Sequence, residues 1–334
     1  MQLPADPLRR FTEIFDALNA TRGWFSDTTP LRFAAIAAIV IPGDPQKVAS
    51  DIRAVAEELQ QKSGWFGELN GSIRFIVAAM LVGNEDSAAE FMQEKDRIRG
   101  LFRDARMSRG GTYEMITSLI LRGAEKYRPE AKDIERLHAI HNAMSKHNWW
   151  ITGVDDYPAC AILSKRDQSP VEIAQYAEDI YQALNAVGFK KGNALQAAAN
   201  LLCLTDDAPR AIANRFAELA EAFKLRGTRV WQNEYDEIAI LSFLAEPSAK
   251  VVTQVLDNQE NIRALSSRPS RSLAFNLASS VAFTQLVQAR LSDKTISDSK
   301  ALMDMQAIIA AQQAAIVAAT VATTAATTAA TASN

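Results

Sequence analysis

The chain repeats itself about every forty residues, and few folds are open to a chain with that period. Gly23-Trp24-Phe25 returns as Gly64-Trp65-Phe66, 41 residues further on. Arg32-Phe33, leading an alanine-rich apolar run, returns as Arg74-Phe75 leading another, 42 residues on. Fainter copies continue to about residue 285. A period of this size marks an array of helical pairs: one pair cannot bury its apolar face alone, and stacking the pairs builds a continuous core.

The copies align on their first helices. These start at Arg32, Arg74, Tyr113, Tyr157, Leu195 and Tyr235, with a seventh at Leu273. Each first helix is apolar on most sides and rich in alanine, as buried helices are. Each second helix is amphipathic. Val48, Ile52, Val55, Ala56 and Leu59 form one stripe; Ile173, Tyr176, Ala177, Ile180, Tyr181 and Leu184 form another; Ile212, Phe216, Leu219, Ala220 and Phe223 form a third. Asp44-Pro45, Ser169-Pro170 and Asp207-Ala208-Pro209 read as N-caps with proline in the first turn. Gly23, Gly64, Gly188 and Gly227 read as C-caps. Strand signals are scarce. The expected fold is all-α, a right-handed α-α superhelix of six to seven pairs of about 41 residues, with a closed α/α toroid as the alternative. Residues 1–292 are expected to form a single helical-repeat domain. Residues 293–334 read as an Ala/Thr-rich helix fraying into a disordered tail.

Composition narrows the classes of function. Of 334 residues, 48% are apolar and 22% charged, the profile of a soluble globular protein. The net charge of −3 argues against general nucleic-acid binding, which needs a basic footprint. Met1-Gln2-Leu3-Pro4-Ala5-Asp6 carries an early acid and no apolar core behind it, so no secretory signal is expected. Cys160 and Cys203 sit in apolar runs, as buried thiols of a reducing compartment do, and a cytoplasmic location is the simplest reading. From Met305 to Asn334 there is no charge, and alanine pairs recur four apart, as in a close-packing seam that self-association could use. The stretch argues against a membrane anchor: the core is alanine, and Gln312-Gln313 interrupt it.

A family resemblance rests on several separated segments. Ser108-Arg109-Gly110-Gly111-Thr112-Tyr113 is followed by Ser118-Leu119-Ile120-Leu121 and then by Asp155-Asp156-Tyr157-Pro158. Gly188-Phe189-Lys190-Lys191-Gly192-Asn193 with Leu195-Gln196 comes next, and Gln312-Gln313-Ala314-Ala315 last. In this order they resemble the bacterial family known as domain of unknown function four thousand and three, over nearly the whole chain. The resemblance implies a bacterial helical protein and brings no activity, ligand or site residue with it.

No motif forces a reaction, and no cofactor is expected. His138 and His141 lie on one helical face as metal ligands can, with His147 on the other side, but no glutamate stands between them as in a zinc protease. Asp155-Asp156 could act as acid and base or bind a metal; the plainer reading is that Asp156 caps a helix whose first turn holds Pro158. Trp149-Trp150 is expected to pack between units as Trp24 and Trp65 would. Arg109-Gly110-Gly111-Thr112 and Lys190-Lys191-Gly192-Asn193 each place base and glycine before a first helix, where an anion could sit, or where Thr112 and Asn193 simply cap. Arg97, Arg99, Arg103, Arg106 and Arg109 form a basic stripe beside Asp96 and Asp104.

If the pairs stack in register, the first helices open at one rim. Arg109, Tyr113, Trp149, Asp155, Asp156, Tyr157, Lys191, Glu234 and Tyr235 are the residues expected there. The leading functional reading is a scaffold for a protein or peptide, since helical arrays expose long binding surfaces. The alternatives are a toroidal, hydrolase-like enzyme using rim carboxylates, and a structural protein self-associating through residues 305–334.

Overall fold

The computed structural model describes residues 3–20, 27–63, 69, 73–148, 150–265 and 267–292. The structure is an all-α helical-repeat fold, and no strand occurs among the described residues. Trp24, Trp65, Trp149 and the Ala/Thr tail lie outside the described residues, as do Gly23 and Gly64.

Helix α1 (Pro7–Asn19) stands alone. Then come α2 (Thr29–Ala38) with α3 (Pro45–Ser63), α4 (Arg74–Gly83) with α5 (Ala88–Asp104), and α6 (Thr112–Arg122) with α7 (Ala131–Asn148). The series continues with α8 (Tyr157–Leu163) and α9 (Pro170–Ala186), α10 (Asn193–Leu202) and α11 (Pro209–Leu225), α12 (Tyr235–Ser242) and α13 (Ser248–Arg263), and ends at α14 (Arg271–Ser292). The even-numbered helices from α2 to α14 are the seven first helices expected from the period, each starting within three residues of its expected position.

The chain divides into two compact units, the boundary falling inside α7 between Ile134 and Glu135. In the first, α1, α3 and α5 form one layer, α2 packs on α4, and α1·α2, α3·α4 and α5·α6 join the layers. In the second, α9, α11 and α13 form one layer and α8, α10, α12 and α14 the other, joined by α9·α10, α11·α12 and α13·α14. The division of labour follows side-chain chemistry. In α4 every residue from Ile76 to Leu81 is buried, and in α2 every residue from Pro30 to Ala38. In α9 only one face is buried, through Ile173, Ala174, Ala177, Ile180, Tyr181 and Leu184.

A helix buried all round cannot hand its last carbonyls to water. In four of the pairs the fold uses one recurring joint: a side chain of the preceding odd-numbered helix donates to carbonyls of the turn that leaves the first helix. From α1, Arg10 Nε donates to Ile39 O at 2.9 Å and Nη1 to Gly43 O at 2.9 Å, while Nη2 reaches Ile41 O. From α7, Arg136 donates to Ser164 O at 2.8 Å, Gln168 O at 2.7 Å and Arg166 O. From α11, Arg215 donates to Leu244 O at 2.8 Å, Glu246 O at 2.6 Å and Ser248 Oγ at 2.8 Å. From α9 the donor is the hydroxyl of Tyr176, against Thr205 O at 3.1 Å and Asp207 O at 2.6 Å. Residues 136, 176 and 215 are one period apart. Tyr176 therefore leaves the apolar stripe in which its spacing places it, and half-buries its ring so that the hydroxyl can reach the next pair.

Capping departs from expectation in three places. Ser169 does cap α9, accepting from Glu172 N at 3.3 Å while Glu172 accepts from Ser169 N at 2.8 Å. Ala208, without a capping side chain, takes the N-cap of α11 in place of Asp207. Thr112 and Asn193 are the first helical residues, and the N-caps are Gly111 (φ 55°) and Gly192 (φ 141°). Positive φ at those points sharply turns the chain into the helix, which a side chain would strain.

Among the described residues, no helix is long and apolar enough to cross a membrane.

The joints account for a measurable share of stability. Arg215→Met keeps the aliphatic stem and removes three part-buried hydrogen bonds, two to carbonyls and one to Ser248 Oγ. Denaturant unfolding should show a loss of about 2–4 kcal/mol. Tyr176→Phe, removing one hydroxyl, should cost about 1–2 kcal/mol.

Candidate functional site

The candidate residues are described unit by unit. In the first unit, Arg109 is exposed and Tyr113 half-buried. The turn between them is held from inside by Glu114, which is 3% exposed. It accepts Gly110 N–H at 3.2 Å and Arg99 Nε at 2.8 Å. Arg97 likewise serves the fold, donating to Glu94 and Pro129 O. Arg122 forms a buried pair with Asp86, which raises the guanidinium pKa. Arg97 and Arg99 of the basic stripe are thus engaged within their own unit, while Arg103, beside Asp104, Arg106 and Arg109 are exposed.

In the second unit, a 3₁₀ turn at Val154–Asp156 leads into α8. Asp156 is buried and does not cap α8 with its side chain. It accepts Gly153 N–H at 3.0 Å and two amides from α10, Gln196 Nε2 at 3.2 Å and Asn200 Nδ2 at 3.1 Å. Burial pushes its pKa up to about 7; the charge of Asp155 adds to this, and the N–H donors pull the other way. His141 closes the same turn from α7, its Nε2 2.9 Å from Gly153 O and its ring edge-on to Tyr157 at 5.0 Å. Burial lowers its pKa. Tyr157 is buried and Asp155 exposed.

The construction recurs two positions along the layer. A 3₁₀ turn at Gln232–Glu234 leads into α12, and Glu234 accepts Trp231 N–H at 2.9 Å. Glu234 is 1% exposed, and its Oε1 is buried without a hydrogen-bond partner. Burial raises its pKa, and the nearby charge of Arg271 opposes the rise. On α12, Glu237 accepts from Asn276 of α14, while Glu237 Oε2 and Asn276 Oδ1 are both buried and unpaired. Burial, reinforced by Asp236 and Glu234, pushes Glu237 up to about 8. A neutral carboxylic acid completes this pair, since its O–H can donate to Asn276 Oδ1.

The expected rim therefore separates into two sets. Asp156, Tyr157, Glu234 and Tyr235 are buried and join neighbouring first helices; Asp155 and Lys191 remain on the surface. Tyr235 packs on Phe189 at 5.4 Å and Phe216 at 6.0 Å. Gln196, Asn200 and Asn276, the partners of the carboxylates, had no motif to announce them. Their spacing from those acids, 39 to 44 residues, was the available signal. Among the described residues, no group of three His, Cys, Asp or Glu side chains is placed to hold a metal ion. Both cysteines are buried free thiols, with Cys203 pushed up to about 12 by burial.

Comparison with known proteins places the chain in a family. The model of a family described as protein of unknown function DUF4003 matches residues 14–314. The chain belongs to that family. A relative, the uncharacterized protein YeaA of Bacillus subtilis (strain 168), is 24% identical over 265 residues, 77% of each chain. No solved structure matches the chain.

The raised carboxylates fix the sign of the pH dependence. An acid whose folded pKa lies above its unfolded value favours the fold at low pH and loses that contribution as pH rises to the folded pKa. For Asp156 the loss runs from about pH 4 to about 7, and for Glu237 from about 4.5 to about 8. Denaturation midpoints should therefore fall between pH 5 and 8. Glu237→Gln, which supplies the donor Asn276 Oδ1 lacks, should flatten the upper part of that fall.

Proposed function

We propose that this chain is a scaffold that binds a protein or peptide partner along the loop edges of its helical pairs. One observation carries the reading: of the acids a hydrolytic rim would use, Asp155, Asp156 and Glu234, two are buried and turned to backbone N–H groups and helix joints, and Asp155 alone stays exposed. The cavity beside Gln196 and Asn200, bounded by Met144, His147, Glu178 and Tyr181, measures about 10 Å³, room for one water molecule. That volume does not admit a substrate. What the array presents outward is a series of loops on rigid supports, the arrangement helical-repeat proteins use for recognition.

An array of short peptides of varied composition, probed with the full chain and followed by calorimetry on the hits, tests this reading. A subset should bind at about micromolar Kd. If no peptide binds, the scaffold reading fails; turnover of generic ester or phosphoester substrates that Asp156→Asn abolishes then puts the enzyme reading in its place.

A further inference from the structure

We propose that the edge of the second unit formed by the loops entering α10, α12 and α14 docks an acidic, extended segment of a partner protein. This rests on the scaffold reading and adds the chemistry of the partner. The three loops carry Lys190 and Lys191, Arg226 and Arg229, and Arg268 and Arg271, all six exposed. Their one acid, Glu234, is buried and turned to Trp231 N–H. Among the described residues, none of the six has a carboxylate oxygen within 4.0 Å.

The loops form a continuous edge. Phe189 touches Tyr235 at the start of α12, with ring centroids 5.4 Å apart. Arg271 Nη2 donates to Arg229 O at 3.4 Å, and Asn233 Nδ2 to Ser272 Oγ at 2.8 Å. Gln196 Nε2 reaches Thr152 Oγ1 at 3.2 Å, which adds the loop before α8 to the row. The N-termini of α10, α12 and α14 open here and add their partial positive charge. On the opposite edge the loops carry four acids, Asp167, Asp206, Asp207 and Glu246, against Lys165 and Arg166, and Arg166 is bound to Asp206 and Cys203 O. The second unit is thus electrostatically polar, although the whole chain has a net charge of −3.

Two features select a peptide over a nucleic acid. The net negative charge of the chain opposes a long polyanion but not a short acidic segment matched to one edge. Trp150 and Trp231 are 62% and 48% exposed, and Arg229 stacks on Trp231 at 4.4 Å from the ring centroid. An aromatic ring beside a guanidinium offers apolar contact and charge together, the combination that anchors peptide side chains. Spacing follows from geometry. Packed helices lie about 8–10 Å apart and an extended peptide advances about 3.3 Å per residue, so acids facing successive loops recur about every third residue.

Fluorescence anisotropy with the full chain tests the proposal. The probes are a labelled peptide of about 12 residues with glutamate at every third position, an isomer with its glutamates in one block, and single-stranded DNA of similar charge. The spaced peptide should bind best and weaken as salt rises. The double variant Lys191→Glu/Arg229→Glu should weaken it about tenfold or more. Lys250→Glu, exposed on α13, should leave it unchanged. Equal binding by wild type and the double variant, with unchanged helical circular dichroism, overturns the proposal. So does tighter binding of the DNA than of either peptide. If neutral peptides bind and both acidic ones do not, this inference falls and the scaffold reading stands; if no peptide of any kind binds, both fall.

Discussion

The structure depends on how the ends of its buried helices are satisfied. A first helix such as α8 or α12 is so short that half its carbonyls or more lack an intrahelical partner, and it sits where water is scarce. A guanidinium is suited to the task because its donors are fixed in one plane and stay charged in a partly buried place. Arg10, Arg136 and Arg215 each hold carbonyls of the following pair in this way. Tyr176 has a single proton to give, and there Arg166 adds a donor to Cys203 O from the loop of the pair before. Packing of alanine against alanine brings the helices close, and these joints make that closeness tolerable for the backbone.

The two edges of a pair solve opposite problems. At the C-terminal ends of the first helices, cations from a neighbouring helix neutralise exposed carbonyl charge. At the N-terminal ends, carboxylates such as Glu114, Asp156 and Glu234 are drawn inward to hold the turn. Around Glu114 and Glu234 the acids are recruited for internal work and the outer surface of the loops is left to the bases, while beside Asp156 the exposed residue is Asp155. In the second unit this produces a surface whose sign differs from that of the chain as a whole.

Much of the architecture was legible because periodicity is a backbone-scale signal. Alanine-rich runs at a constant interval can be little else than buried helices, and their starts were readable to within a turn. The joints were harder to read. Arg136 and Arg215 look in sequence like ordinary surface charges on amphipathic helices, and Tyr176 like one more apolar residue. What each touches lies about thirty residues away, in a loop whose course depends on the stacking. Part of the candidate rim is buried for a related reason. Asp156 and Glu234 are polar and precede helices, which suggests exposure, yet amides on α10 and backbone N–H groups draw them in. Burial of a polar group is decided by its partners, and those partners are distant in sequence.

A joint whose donor belongs to one pair and whose acceptors belong to the next has an evolutionary consequence. Duplicating a pair copies the donor and the acceptors together, so an added pair arrives already fitted to both neighbours. An array of this design can lengthen or shorten by whole pairs without a new solution for the core. Each copy then remains free to change the few exposed residues at its entrance loop.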